Sequence, residues 1–342
     1  MWQIIGQQRT VEAMENSLRR GRLSHACLLT GPEHVGKRTM AIEIARALNC
    51  PSGDRPCGLC RTCDRIASGN HSDVQMISLA ENPATEQTAV KSIGVEQVRD
   101  MQRTVSLNPY EGGYRVIIID GAELMSEGAA NSLLKTLEEP PANTVFLLLT
   151  TREDFLLPTI HSRCQRIELE PMPVEDVREV LREKWQASSE QSDLLARLSH
   201  GCIGWAISAM NDESLLEKRQ LNLEGLISLA FADINGRFKY AAEMAQEFGK
   251  SRNTVRNRLE LWLDWWRDLM LFKSGTDQYM VNIDQRGKIE EQARQLDLSS
   301  IRHAIRSIRE TMRSLERNAN PRLALEVLML NVPVLEAERR YA

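Results

Sequence analysis

Two hydrophobic patterns organise this chain, and the point where one stops divides it. Residues 26–30 (ACLLT), 115–119 (RVIII) and 145–150 (VFLLLT) are short continuous apolar runs, the signature of strands buried on both faces of a parallel sheet. Between them the period changes. Ile42, Ile44, Ala45 and Leu48 recur at helical spacing within 39–48, and 127–139 reads as a helix that Pro140-Pro141 stops, because proline lacks the N–H and restricts the residue before it. Strands alternating with crossover helices predict a parallel α/β sheet with helices on both faces.

After Pro171-Met172-Pro173 the strand signal ends, so a boundary is expected near residue 171, with a short helical block over 174–212 and longer helices from 213 onward. In 301–319, Ile301, Ile305, Ile308, Met312 and Leu315 recur at four, three, four and three residues, which puts them on one helical face. Arg302, Arg306, Arg309, Arg313 and Arg317 run beside them, a pattern that suits a solvated face, DNA or an acidic neighbour. Trp262, Trp265 and Trp266 lie among leucines, as core or interface residues do more often than base-stacking platforms.

Length and charge narrow the function classes. At 342 residues the chain has room for two or three domains, and 43 basic against 47 acidic side chains leave a formal charge of -4, so no global basic field draws it to nucleic acid. No apolar run approaches the roughly 18 residues of a membrane span, and the start MWQIIGQQRT lacks the order of a signal peptide. A cytoplasmic protein without membrane contact is expected.

Four of the seven cysteines, Cys50, Cys57, Cys60 and Cys63, are spaced C-x6-C-x2-C-x2-C. Four thiolates this close suit a closed tetrahedral Zn²⁺ site of structural type. Residues 31–37 (GPEHVGK), after the first strand, form a phosphate-cradling loop in which Gly31, Gly36 and Lys37 stand at the expected positions. Arg38 replaces the hydroxyl residue that holds Mg²⁺, and Thr39 comes one position late on the helix. Asp120 ends its strand where a metal-shell carboxylate belongs, but Gly121 stands where a water-activating Glu is needed, and Glu123 reads as a solvated helix-start carboxylate. The expectation is an ATP·Mg²⁺ site in degenerate form, built from Gly31, Gly36, Lys37, Thr39, Asp120 and Thr151.

LLTGPEHVGKRT, the four cysteines, ANSLLKTLEEPP at 130–141 and Ser162-Arg163-Cys164 together resemble the bacterial clamp-loader subunits of DNA polymerase III, an AAA+ family, and within it the delta-prime branch. The resemblance runs from IIGQ at 4–7 through RLSHA at 22–26 to NANPRLALEVLML at 318–330. It implies an AAA+ domain over 1–170 with a zinc module at 50–63, a helical lid over 171–212 and a helical collar over 213–342. It further implies that Arg163, flanked by Ser162 and Cys164, is an arginine finger serving the ATP site of a neighbouring gamma or tau subunit. Implied partners are gamma/tau and delta in a hetero-pentamer, with the sliding clamp and primer-template DNA reached through the complex. Thr150 and Thr151 match the family's first sensor, whereas Gly204-Trp205-Ala206 carries no arginine where active members keep their second sensor. Cys164 beside His161 invites a nucleophile reading, but a buried core thiol needs no orienting partner and fits better.

Two functions compete at this point. One is an assembly subunit that hydrolyses nothing alone and supplies Arg163 in trans; the other is a gamma/tau-type ATPase motor, against which stand Arg38, Gly121, the missing sensor arginine and the lack of a long tau-like extension. A stand-alone zinc-dependent nucleic-acid binder fits the acidic net charge poorly.

Overall fold

The computed structural model describes residues 2–79, 92–111 and 113–335, and the chain divides into two compact units, Met1–Val177 with His200–Trp205, and Arg178–Ser199 with Ala206–Ala342. The first unit contains α1 (Gln8–Arg19), β1 (Ala26–Thr30), α2 (Lys37–Asn49), α3 (Arg61–Ala67), β2 (Val74–Ile77), α4 (Val95–Val105), β3 (Arg115–Asp120), α5 (Glu127–Glu138), β4 (Thr144–Thr150), α6 (Pro158–His161) and β5 (Gln165–Glu168). All strand pairs are parallel, in the order β2-β3-β4-β1-β5. The three strands legible in the sequence are the three central ones, and every residue of β1 and β4 is buried. The edge strands β2 and β5 escape the apolar-run criterion because each has only one fully buried residue, Ile77 and Ile167.

Two cores cover the two faces of the sheet. Cys27, Leu29, Val116, Ile118, Leu147 and Leu149 pack with Met40, Ala41 and Ile44 of α2, while the alternate residues Leu28, Ile117, Ile119, Phe146 and Leu148 pack with α4 and α5. This is the period-two alternation of a strand buried on both sides. Beneath the sheet edge, buried Asp73 accepts the amides of Tyr110 and Glu111 at 2.7 and 2.8 Å and pairs with buried Arg115 at 3.0 Å.

Helices complete the chain: α7 (Val174–Trp185), α8 (Ser189–Leu198), α9 (Ile203–Asn211), α10 (Ser214–Leu229), α11 (Ile234–Lys250), α12 (Arg252–Lys273), α13 (Arg286–Gln295), α14 (Leu298–Glu316) and α15 (Pro321–Asn331). In the second unit α12 is central, packing on α13 and α14, while α11 packs on α15. Its tryptophans are core. Trp262 stacks on Tyr240 with ring centroids 6.0 Å apart, Trp265 donates from Nε1 to Gln292 Oε1 at 3.0 Å, and Trp266 is buried beside them. Among the described residues no helix is long and apolar enough to cross a membrane.

Candidate functional site: a phosphate loop, a cysteine cluster and an exposed arginine

Parallel strands deliver their following loops to one edge of the sheet, and the phosphate loop occupies that edge. Gly31 takes φ +145 and Gly36, which opens α2, takes φ +108, both in the region that favours glycine. A side chain at Gly31 would sit 2.5 Å from the Leu169 carbonyl oxygen, so only glycine allows the loop to cross so close to the end of β5. The loop is also held from outside. His34, itself at φ +60, accepts a 3.1 Å hydrogen bond from the Gly204 amide, and a Cβ at Gly204 would lie 2.7 Å from the same oxygen. The glycine noted in the sequence only for a missing sensor arginine therefore lets one backbone rest on the other.

Lys37 is buried and donates from Nζ to the carbonyls of Gly31 and Pro32 at 2.8 and 2.6 Å. Burial lowers its pKa below the ordinary lysine value, against the opposing pull of Glu123, Glu33 and Asp120. Arg38 and Thr39 lie exposed on α2. Asp120 ends β3 level with Leu149, Thr150 ends β4 and Thr151 follows it, so these polar groups share the edge with the loop. Thr150 is buried and its Oγ1 accepts the Arg152 amide at 3.1 Å.

Glu123 differs from its expected solvated state. Gly121 turns the chain at φ +81, and the short 3-10 turn Ala122–Leu124 folds back over the strand ends. Glu123 Oε1 then accepts from Thr151 N at 3.1 Å and Thr151 Oγ1 at 2.6 Å, while its Oε2 is buried with no hydrogen-bond partner. A carboxylate displaced by two residues reaches the same edge because glycine permits the reversal. The only sequence signal for this was that glycine beside Asp120.

The cysteines converge as their spacing predicts. The four sulfurs lie within 4.8 Å of one another, with Cys50 to Cys60 at 3.9 Å and Cys57 to Cys63 at 4.0 Å. Zinc–sulfur bonds of about 2.3 Å put tetrahedral S···S edges at about 3.8 Å, so the donor set fits that ion. The Cys60 and Cys63 amides point at the sulfurs of Cys57 and Cys60 at 3.3 and 3.4 Å, and the Leu59 and Cys60 amides hold the Cys57 thiol down to about 6. Buried Arg46 of α2, paired with Glu43, donates to the Cys63 carbonyl at 3.0 Å and so ties the cluster to the core.

Ser162-Arg163-Cys164 joins α6 to β5. Arg163 is about one-third exposed; its Nε meets Glu138 Oε1 at 2.9 Å, Nη2 contacts the same oxygen, and Nη1 donates to the Thr159 carbonyl and Ser162 Oγ at 2.9 and 3.1 Å. Cys164 packs into the sheet core, which pushes its thiol up to about 11, and His161 Nε2 lies 2.8 Å from the Glu153 carbonyl instead. It is a core thiol. Because β1 and β5 are adjacent and parallel, with Cys27 level with Gln165 and Thr30 with Glu168, Arg163 precedes one end of the strands and Gly31 follows the other. At about 3.3 Å per residue, roughly 20 Å of sheet separates the arginine from the phosphate loop of its own chain.

A five-stranded parallel sheet with its phosphate loop after the strand next to one edge, followed by an all-helical region, defines a P-loop protein of the AAA+ class. Comparison with known proteins goes further. The family model described as DNA polymerase III, delta subunit, matches residues 6–173, that of its C-terminal part matches residues 214–333, and the chain belongs to this family. Its relatives include DNA polymerase III subunit delta' of Bacillus subtilis, 29% identical over 325 residues and 95% of each chain. Subunit tau of the same organism is 27% identical over 96% of this chain and 60% of its own length. Subunit tau of Escherichia coli is 36% identical over 62% of this chain and 32% of its own. Among solved structures, a gamma-subunit-related protein of Thermotoga maritima is 19% identical over 93% of this chain and 98% of its own, with a TM-score of 0.41.

Proposed function

We propose that this chain is a delta-prime-type subunit of a bacterial DNA polymerase III clamp loader, which hydrolyses no ATP of its own and lends Arg163 to the ATP site of a neighbouring gamma or tau subunit. The observation that carries this reading is the separation of Arg163 from its own phosphate loop by the length of the sheet: the guanidinium has no route to a nucleotide bound beside Lys37 and is partly exposed, held among the described residues only by a surface pair with Glu138 and by bonds to Thr159 and Ser162. A finger of this kind places positive charge where a transferred phosphoryl group develops negative charge, and is worth about 10³ to 10⁵ in rate. The chain's own site has the opposite character. Arg38 supplies no metal ligand and Gly121 no base.

In this reading 1–170 is the AAA+ domain, 171–212 the lid and 213–342 the collar that joins gamma/tau and delta subunits in a pentamer, in the cytoplasm, with clamp and primer-template DNA reached through the complex. Leu323, Val327 and Leu330, spaced by four and three residues and more than half exposed on α15, supply an apolar face for such assembly. Cys50, Cys57, Cys60 and Cys63 would hold a structural Zn²⁺. Arg163→Ala is expected to leave the assembled complex intact and slow its DNA- and clamp-stimulated ATP hydrolysis at least 10-fold. An unchanged rate from an intact complex rejects the finger.

The match to a tau subunit over 96% of this chain favours a second reading, an ATP-hydrolysing gamma/tau-type motor. Glu123, folded back onto Thr151, would be its base. Calorimetric titration with ATP·Mg²⁺ and a turnover assay on the isolated protein separate the two: hydrolysis by the isolated chain would establish the motor.

A further inference from the structure

Helix α14 buries Ile301, Ala304, Ile308, Thr311 and Leu315 against its own unit and turns a different chemistry outward. Arg302, Arg306, Arg309 and Arg313, with Arg317 at the C-cap, are all exposed. At 100° and 1.5 Å per residue they fall within an arc of about 80° along about 22 Å of helix. Apart from a bond from Arg302 Nε to the Leu298 carbonyl at 3.3 Å, no hydrogen bond or ion pair engages these guanidinium groups among the described residues. Glu310 and Glu316 lie at the margins of the arc and pair with none of them.

Such a row is costly for a merely solvated face. Like charges three and four residues apart oppose each other by about 0.2–0.5 kcal/mol per pair, and alternating signs would give the same solubility without that cost. The side chains are all arginine, whose planar fork matches phosphate oxygens in pairs. No exposed aromatic interrupts them, which removes base stacking and leaves backbone contact. A nucleic-acid strand rises about 3.4 Å per phosphate, so about six phosphates line the length that five arginines occupy.

We infer that the outward face of α14 binds the phosphodiester backbone of nucleic acid, without regard to sequence. The surface is local, since the whole chain carries a formal charge of -4, and it is independent of the phosphate loop and of Arg163. The test is fluorescence anisotropy of the full-length protein with labelled 30-nucleotide single-stranded and 30-base-pair duplex DNA, from about 25 to 200 mM salt. Binding of either probe should weaken steeply with salt, and the combined substitution R306A/R309A/R313A should weaken it at least 10-fold and flatten the log K against log salt slope by about 2 to 3. The lysine counterpart R306K/R309K/R313K should keep most of the slope, and both variants should melt at the wild-type temperature. No binding by the wild-type protein at 25 mM salt, a slope unchanged by the alanine variant, or displacement by an acidic peptide at concentrations far below those at which unlabelled DNA competes would each overturn the assignment, the last in favour of an acidic protein partner.

Discussion

Arg163 and Asp73 show how far a single residue's surroundings decide what it does. Both make charged hydrogen bonds, yet Arg163 lies partly exposed against half-exposed Glu138, a pairing worth at most about 1 kcal/mol, whereas Asp73 and Arg115 are buried. The first pair costs little to give up and the second is structural. Burial alone would raise the Asp73 carboxyl; the Glu111 and Tyr110 amides and Arg115 outweigh it and hold the group below its ordinary value. A carboxyl depressed on folding contributes stability that is present above its unfolded pKa of about 4 and is lost as pH falls through the folded value. Asp73→Asn, which keeps most of the shape and loses the charge, is expected to cost about 3 kcal/mol at pH 7 in denaturant unfolding. Its difference from wild type should shrink below about pH 4, and a gap that widens on acidification would contradict the assignment.

Elements here are stabilised as much at their ends as along their faces. The C-terminus of α15 is closed by buried Arg237, which donates to the carbonyls of Met329, Val332 and Pro333 at 3.0, 2.6 and 3.1 Å and, from Nε, to Ala232 at 3.2 Å. A guanidinium among last-turn carbonyls also complements the negative end of the helix dipole. Arg237→Ala strips several buried carbonyls at once and is expected to lower unfolding free energy by about 3 kcal/mol, with amide exchange in α15 rising first. Central strands and long helices were legible because burial imposes a period on them. The Arg237 cap was not, since its partners lie more than ninety residues away, and neither were β2 and β5, whose exposed faces admit polar residues.

At the scale of the molecule, two compact units with separate cores imply two unfolding events, because cooperativity extends only as far as a shared interior. Among the described residues, a cluster of four metal-competent thiols lies in the first of them. A structural Zn²⁺ contributes about 10–16 kcal/mol to small peptides that fold around it, so calorimetry of the full chain with a strong zinc chelator should lower the transition of the unit containing Cys50–Cys63 and leave the helical unit's transition in place. Cys63→Ser should reproduce the shift without chelator, and a chelator that moves neither transition would argue against bound metal.

Local chemistry was determined by the sequence itself. Spacing placed four thiols together, glycines set the turns of the phosphate loop, and apolar periods named the buried strands, since each of these depends on neighbours within a few residues. What required tertiary structure was every relation across the sheet. That Glu123 folds onto Thr151, that Gly204 braces His34, and that Arg163 and the phosphate loop stand at opposite ends of β1 and β5 follow from strand order and direction, which no local pattern encodes. The separation of binding loop from arginine, and with it the proposal of a residue that serves another subunit, is a property of a parallel sheet and could be read only once that sheet was in place.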